Sequence, residues 1–166
     1  METETAKVKI MRYIDDAIAL EAASITAMRD MAKDAVSTDE RLLYEGHLTE
    51  SESHKQRLEG RLITLGGEAK RSLVKDVMNS IGAAATNILH AGKNDDEKDT
   101  RNLLQAYAME SLEVAVYEAL YAAANSSSDS ETALLARQIQ AEESAMAKHL
   151  FFRIADSSII AVGAAA

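Results

Sequence analysis

Four long stretches of the chain carry apolar side chains at every third or fourth position, the spacing of one face of an α-helix. Start and stop signals separate these stretches. Capping motifs, in which a side-chain acceptor is followed three residues later by Glu, begin at Ser37, Asn94 and Ser128. Gly66 and Gly92 are typical helix ends, because glycine accepts the left-handed conformation found there. The pattern predicts helices over residues 3–35, 39–65, 95–125 and 129–156.

The lengths of the links predict how the helices are connected. Short links join the first helix to the second and the third to the fourth, so each pair is expected to form an antiparallel hairpin. The link over residues 66–93 is long enough to carry the chain from one end of a bundle to the other. Its apolar residues have the spacing of a short amphipathic helix: Leu73, Val74, Val77, Ile81, Ala84 and Ile88.

Four helices with one long crossover form the ferritin-like arrangement. The alternative is a plain up-down bundle with a fifth helix packed outside. The sequence therefore predicts an all-α fold, a ferritin-like four-helix bundle made of two antiparallel hairpins. It is expected to form one domain over residues 1–166, with residues 157–166 as a tail.

Composition narrows the chemistry and the partners. The 166 residues include no Pro, in keeping with uninterrupted helices, and no Cys, which excludes disulfides, thiolate zinc sites and cysteine nucleophiles. A net charge of −9 argues against a nucleic-acid partner. No run reaches the ~18 apolar residues of a membrane span, and the N-terminus lacks the apolar stretch of a signal peptide. A cytoplasmic protein that binds neither membrane nor nucleic acid is expected.

Polar residues interrupt the apolar stripe near the middle of every predicted helix. An isolated buried carboxylate costs several kcal/mol, so an acid on such a stripe needs a partner, a proton or a metal ion. Four helices that each place an acid at the same level predict a carboxylate cluster in the core. The interrupting residues are Glu21 in the first helix, His47, Glu50 and His54 in the second, Glu110 and Glu113 in the third, and Glu143 in the fourth.

Carboxylates with a few imidazoles suit iron or manganese. The candidate metal ligands are Glu21, Glu50, His54, Glu110, Glu113 and Glu143. The alternative is a buried, partly protonated hydrogen-bonded network without an ion. His54 is then a core imidazole that donates to Glu50 or Glu21. Glu113 either bridges two ions or points to the next helix, and His47 is expected to pack against a neighbouring helix.

Four segments of the chain carry a family resemblance. They begin at Asp16, His47, Ala106 and Glu142 and read DAIALE, HLTES, AYAMESLEVA and EESAMA. These segments resemble the YciE/YciF family of ferritin-like bacterial stress proteins, and the likeness extends in order over residues 8–155. The resemblance implies a ferritin-like bundle that is often dimeric, a link to stress responses, a poorly defined activity and a dinuclear metal centre of the rubrerythrin type.

The ligand pattern of this chain departs from that of ferritin-like di-iron proteins. Those proteins supply one Glu from each of two helices and a Glu-x-x-His pair from each of the other two. Glu21 and Glu110 fit the single positions, but the chain has no Glu-x-x-His. His54 has a Glu four residues before it, and Met146 stands three residues after Glu143. A dinuclear site, a mononuclear site and no ion at all are therefore left open.

Two functions follow from these alternatives. The first is a stress-response metalloprotein that binds iron or manganese and handles oxygen or peroxide. The second is a non-enzymatic helical stress protein that keeps a vestigial site and acts as a homodimer or through a stress-protein partner. The sequence leaves open whether the chain is an enzyme, and no Ser-His-Asp or phosphate-loop pattern supports a hydrolase.

Overall fold

The computed structural model describes residues 5–68 and 97–163, which contain four α-helices and no β-strand. The helices are α1 (Ala6–Asp34), α2 (Thr38–Thr64), α3 (Lys98–Ser126) and α4 (Ser130–Ala161). The predicted all-α four-helix architecture is confirmed. The short helix expected within residues 66–93, and the signals at Gly92 and Asn94, lie outside the described residues.

The helix starts follow the capping chemistry with one correction. The Ser37 hydroxyl accepts hydrogen bonds from the backbone of the first turn of α2, as predicted. At α4 the cap is Asp129, which accepts from the Thr132 amide, whereas Ser128 adopts a left-handed φ of 61° in the preceding turn. The cap prediction at Ser128 was therefore wrong by one residue, because a residue with that backbone conformation cannot serve as an extended N-cap.

The end of α4 was also predicted too early. The helix continues past residue 156 to Ala161, so the segment assigned to a tail begins with more than one further helical turn. No Gly or Pro interrupts it before Gly163, which takes a positive φ of 70°. The extension is also anchored, since the Ser157 and Thr100 hydroxyl oxygens are 2.9 Å apart.

Two apolar clusters fix the directions of the helices. One cluster joins the first half of α1 to the second halves of α2 and α3 and the first half of α4. Its buried members are Ile10, Ile14, Ala17, Ile18, Leu58, Leu62, Tyr117, Leu120, Ala136 and Ile139. The other cluster joins the opposite halves, and its buried members are Met28, Met31, Ala32, Tyr44, Leu103, Ala106, Met109, Met146 and Leu150.

These shared clusters show that α1 is antiparallel to α2 and α3 and runs in the same direction as α4. Helices α2 and α3 therefore also point the same way, and the connection between them has to carry the chain from one end of the bundle to the other. That is the ferritin-like order, and it excludes the up-down alternative. The helices of each hairpin pack together most extensively, while α2 and α4 have the least contact among neighbouring helices. None of the four described helices is both long and apolar enough to cross a membrane.

Polar side chains tie each end of the bundle. At one end, Asp99 of α3 accepts hydrogen bonds of 2.9 Å from the amides of Val36 and Ser37 in the α1–α2 turn. At the other end, the Arg61 guanidinium of α2 reaches the start of α4. Its Nη2 lies 2.6 Å from Asp129 Oδ1, and its Nε donates to the Thr132 hydroxyl over 2.7 Å.

We expect Arg61→Ala to lower the free energy of unfolding by about 2 kcal/mol, because several charge-assisted bonds of a largely buried guanidinium are lost together. Arg29→Ala is the matched control. It removes a half-exposed 3.5 Å pair with Glu52, so its cost should be below about 1 kcal/mol. Urea unfolding followed by circular dichroism measures both, and equal losses in the two variants would contradict this role for Arg61.

Candidate metal centre

A polar layer lies between the two apolar clusters, at the middle of all four helices. It consists of four carboxylic acids and two imidazoles with almost no solvent exposure, together with two buried serine hydroxyls from α1 and α2. The layer is formed by Glu21, Ser24, His47, Ser51, His54, Glu110, Glu113 and Glu143. Each helix brings its members inward because they continue the apolar stripe of that helix.

Three of these side chains form the first cluster with metal-ligand spacing: Glu21, His54 and Glu143. The Nδ1 atom of His54 lies 2.7 Å from Glu143 Oε1 and 3.4 Å from Glu21 Oε1. Three helices, α1, α2 and α4, thus aim one donor atom each at a common point.

His47, Glu110 and Glu143 form the second cluster. The Nε2 atom of His47 lies 3.1 Å from Glu110 Oε2 and 3.4 Å from Glu143 Oε2. Glu143 therefore belongs to both clusters, with one carboxylate oxygen facing each imidazole. A carboxylate in this position can bridge two cations.

Glu113 lies one turn after Glu110 on α3 and is fully buried. Its carboxylate oxygens have no close hydrogen-bond donor among the described residues, and the nearby Ser24 hydroxyl only partly offsets the rise in its pKa. Burial raises its pKa well above the usual range, and the neighbouring charges of Glu110 and Glu21 raise it further. An acid in these surroundings either keeps its proton or faces a cation.

The other three acids of the layer differ in the direction of their pKa shifts. Burial raises the pKa of Glu110 to about 8, although His47 beside it opposes the shift. Burial also raises the pKa of Glu21. The pKa of Glu143 is well below its usual range, because its contacts with His47 and His54 outweigh burial.

The two imidazoles are held in the charged form. Burial by itself lowers the pKa of His47, but the carboxylates of Glu110 and Glu143 raise it to about 11. In the same way Glu143 and Glu21 raise the pKa of His54 to about 10 against the effect of burial. Two imidazolium charges do not balance four carboxylates, so the layer needs further protons or cations to become neutral.

Glu50 is not part of the buried layer, and its predicted place on the inward stripe was wrong. Its side chain is 61% exposed, and it accepts a hydrogen bond from His47 Nδ1 at 3.1 Å. His54 has the equivalent outward partner in Glu142, whose Oε2 lies 2.7 Å from His54 Nε2. The helical spacing missed this difference because Glu50 lies only one residue from Ser51, which takes the inward position.

His47 belongs to the polar layer, although the sequence did not predict its contacts there. It shares the inward stripe of α2 with His54, seven residues later, and that two-turn spacing of two imidazoles was the available signal. Its expected packing against a neighbouring helix is replaced by contacts with the acids of α3 and α4.

A tyrosine supports one side of the layer. The Tyr117 hydroxyl is almost fully buried and donates a hydrogen bond to Glu21 Oε1. Burial and the adjacent Glu21 raise the pKa of Tyr117 well above its usual range, so it acts as a neutral donor. The carboxylate of Glu21 is thereby held with one oxygen toward Tyr117 and His54.

The acids and imidazoles of the layer number four Glu and two His, as in a ferritin-like di-iron site, but their distribution over the helices differs. Ser51 stands three residues before His54, where a Glu-x-x-His pair would place its Glu. Met146 stands three residues after Glu143, where such a pair would place its His. Glu113 and His47, at other positions, bring the buried set to four Glu and two His.

Residues 9–158 match the family described as "Domain of unknown function (DUF892)". No curated protein matches the sequence.

Three solved structures share the fold. The Escherichia coli stress protein YciF, known from a crystal structure, is 17% identical in sequence to this chain. The two structures superpose with a TM-score of 0.81 over 94% of this chain and 98% of YciF. A protein from Xanthomonas campestris pv. campestris is 22% identical with a TM-score of 0.76, covering 93% and 94%. YcfI from Rhodopseudomonas palustris is 20% identical with a TM-score of 0.73, covering 89% and 93%. The likeness to YciF inferred from sequence is confirmed at the level of the fold.

The proton balance of the layer predicts how stability depends on pH after treatment with a chelator. Glu110 keeps its proton in the folded state up to about pH 8, whereas the unfolded chain releases it above its usual pKa of 4.5. Unfolding therefore releases a proton between these values, and His47 contributes with the same sign between pH 6.5 and about 11. The melting temperature should fall as the pH rises from 5 to 8.

Glu110→Gln removes one of these protons, so the melting temperature should fall less steeply with pH. The slope of the free energy of unfolding against pH should become shallower by up to about 1.4 kcal/mol per pH unit. The exposed Glu52→Gln serves as the control and should leave the slope unchanged. Thermal unfolding at a series of pH values measures both. A melting temperature that rises over this range, or an unchanged slope in Glu110→Gln, would contradict the assignment.

Proposed function

The chain belongs to the DUF892 family, and we propose that it is a cytoplasmic stress-response protein whose core binds two divalent cations, iron or manganese, and handles oxygen or peroxide. The observation that carries this proposal is the pair of three-residue clusters that share Glu143. Each cluster offers carboxylate oxygens and one imidazole nitrogen, the donor set that these ions prefer.

The charges of the layer fit two divalent cations. Four carboxylates carry four negative charges, and two divalent ions with neutral imidazoles balance them. The close contacts of Glu110 and Glu143 within the layer are with His47 and His54, and the oxygens of Glu113 have no close hydrogen-bond donor among the described residues. Buried acids in such surroundings can serve as cation ligands once the imidazoles are neutral. Glu113 belongs to neither cluster, but the charges of Glu110, Glu21 and Glu143 raise its pKa, so its carboxyl group lies near the acids of both clusters.

The residues of the layer would divide the work between them. Glu21 and His54 would hold one ion and His47 and Glu110 the other, and Glu143 would offer one carboxylate oxygen to each. When bound, such ions supply a Lewis-acid and redox centre for small oxygen species. The apolar clusters on both sides exclude water, and Tyr117 keeps the carboxylate of Glu21 in place.

The stress-response part of the proposal is supported by the shared fold of YciF, which is described as a stress protein. The net charge of −9 argues against nucleic acid as a partner.

A second candidate function, self-association, is favoured by an aromatic patch on the outer face of α3 and α4. Phe151 and Phe152 are 56% and 63% exposed, and their ring centroids are 5.9 Å apart. Tyr107 continues the patch at 5.6 Å from the Phe151 ring. Exposed apolar patches of this kind are typical of protein interaction sites, so the patch supports a homodimer.

We expect purified protein from iron- or manganese-supplemented cells to contain about two ions per chain, because a folded core site of this kind retains its metal. Glu143→Ala should remove most of both ions, whereas Glu21→Ala should affect mainly one of them. Elemental analysis measures the stoichiometry, and Glu52→Ala is the control for loss of a surface acid. Less than about a tenth of an ion per chain in the unaltered protein would contradict the proposal.

The aromatic patch makes a separate prediction. Phe151→Ser combined with Phe152→Ser should convert a dimer to a monomer without changing helix content, because both side chains point to solvent in the isolated chain. Ile63→Ser removes an exposed apolar side chain of α2 elsewhere on the surface and is the control. Light scattering coupled to gel filtration gives the mass, and a monomeric unaltered protein would contradict self-association.

A further inference from the structure

Each core imidazole has a second ring nitrogen that faces outward, and each of these nitrogens meets an exposed glutamate. The Nδ1 atom of His47 lies 3.1 Å from Glu50 Oε2 on the same helix. The Nε2 atom of His54 lies 2.7 Å from Glu142 Oε2 on the facing helix. Neither glutamate belongs to the three-residue clusters of the centre.

The two imidazoles are reversed with respect to one another. His47 points Nε2 inward to Glu110 and Glu143, whereas His54 points Nδ1 inward to Glu21 and Glu143. An outward carboxylate accepts a hydrogen bond from the protonated ring nitrogen. The proton therefore stays on that nitrogen, and the other nitrogen is available to a cation. The structure thus pairs one exposed carboxylate with each of two opposite ring orientations.

We infer that Glu50 and Glu142 are positioning residues that select opposite tautomers of the two imidazoles, an inference that rests on the proposed cation site. When a cation replaces the inner proton of each imidazolium, Glu50 would keep the remaining proton of His47 on Nδ1 and leave the electron pair of Nε2 to the cation. Glu142 would keep the remaining proton of His54 on Nε2 and leave the electron pair of Nδ1 to the cation. Neither glutamate binds the cation itself.

The surroundings of the two glutamates suit this role. Arg57 donates to the same Glu142 oxygen over 2.9 Å, so that carboxylate is fixed from two sides. Glu50 and Glu142 both line a groove of about 440 Å³ between α2 and α4, and His47 lies at the wall of that groove. The backbones of α2 and α4 make few close approaches, so side-chain bonds such as Glu142 to His54 and Arg57 to Glu142 connect the two helices across this groove.

The test uses Zn²⁺ as a diamagnetic probe and ¹⁵N-labelled histidine, so that nuclear magnetic resonance reports the protonated and the metal-bound nitrogen of each ring. In the loaded, unaltered protein we expect His47 to be bound through Nε2 and His54 through Nδ1. Glu142→Ala and Glu50→Ala should each weaken Zn²⁺ binding by about 10- to 100-fold. Glu142→Gln should recover part of that loss, because its amide oxygen can still accept a hydrogen bond from the Nε2–H group of His54.

Glu52→Ala, an exposed acid of α2 that contacts no imidazole, is the control and should bind as the unaltered protein does. Helix content by circular dichroism identifies any variant that fails to fold, and the Gln variants then replace the Ala variants. If the unaltered protein binds Zn²⁺ but the variants bind it equally well, or if both histidines bind through the same nitrogen, the positioning role is overturned while the cation site stands. If the unaltered protein binds no Zn²⁺, both are overturned.

Discussion

The structure depends on the way in which four buried carboxylates are compensated in a layer that excludes water. A carboxylate without a counter-charge is costly at such a site, and the described residues supply only two imidazoles as internal cations. The remaining charge has to be removed by protons or balanced by bound cations. Every unusual property of the centre follows from this condition, including the high pKa of Glu110 and of both histidines.

The apolar clusters make this compensation necessary, because they seal the layer from both ends. The same clusters also set the directions of the helices, so the topology and the polar centre have one common cause. Hydrogen bonds at the ends of the bundle then hold the hairpins in register, with Asp99 at one end and Arg61 at the other. In this arrangement the polar layer is enclosed by packed side chains on both sides and the hairpins are joined by polar contacts at both ends.

Helical periodicity was sufficient to predict the fold and most of the centre. Glu21, Glu110 and Glu143 lie on apolar stripes whose burial can be counted along the sequence, and all three are in the core. Glu50 could not be separated from Ser51 in this way, because neighbouring residues on a helix differ by only about 100°. The role of His47 depends on which acids of α3 and α4 face it, and that pairing arises only when the hairpins meet.

The polar layer is also divided unequally between the two hairpins. The α1–α2 hairpin contributes both imidazoles and one acid, whereas the α3–α4 hairpin contributes three acids and no cation. The surfaces that the hairpins turn toward each other are therefore electrostatically complementary. Docking the hairpins in the wrong orientation would place those three acids against apolar side chains. The buried charges therefore disfavour wrong pairings of the two hairpins during folding.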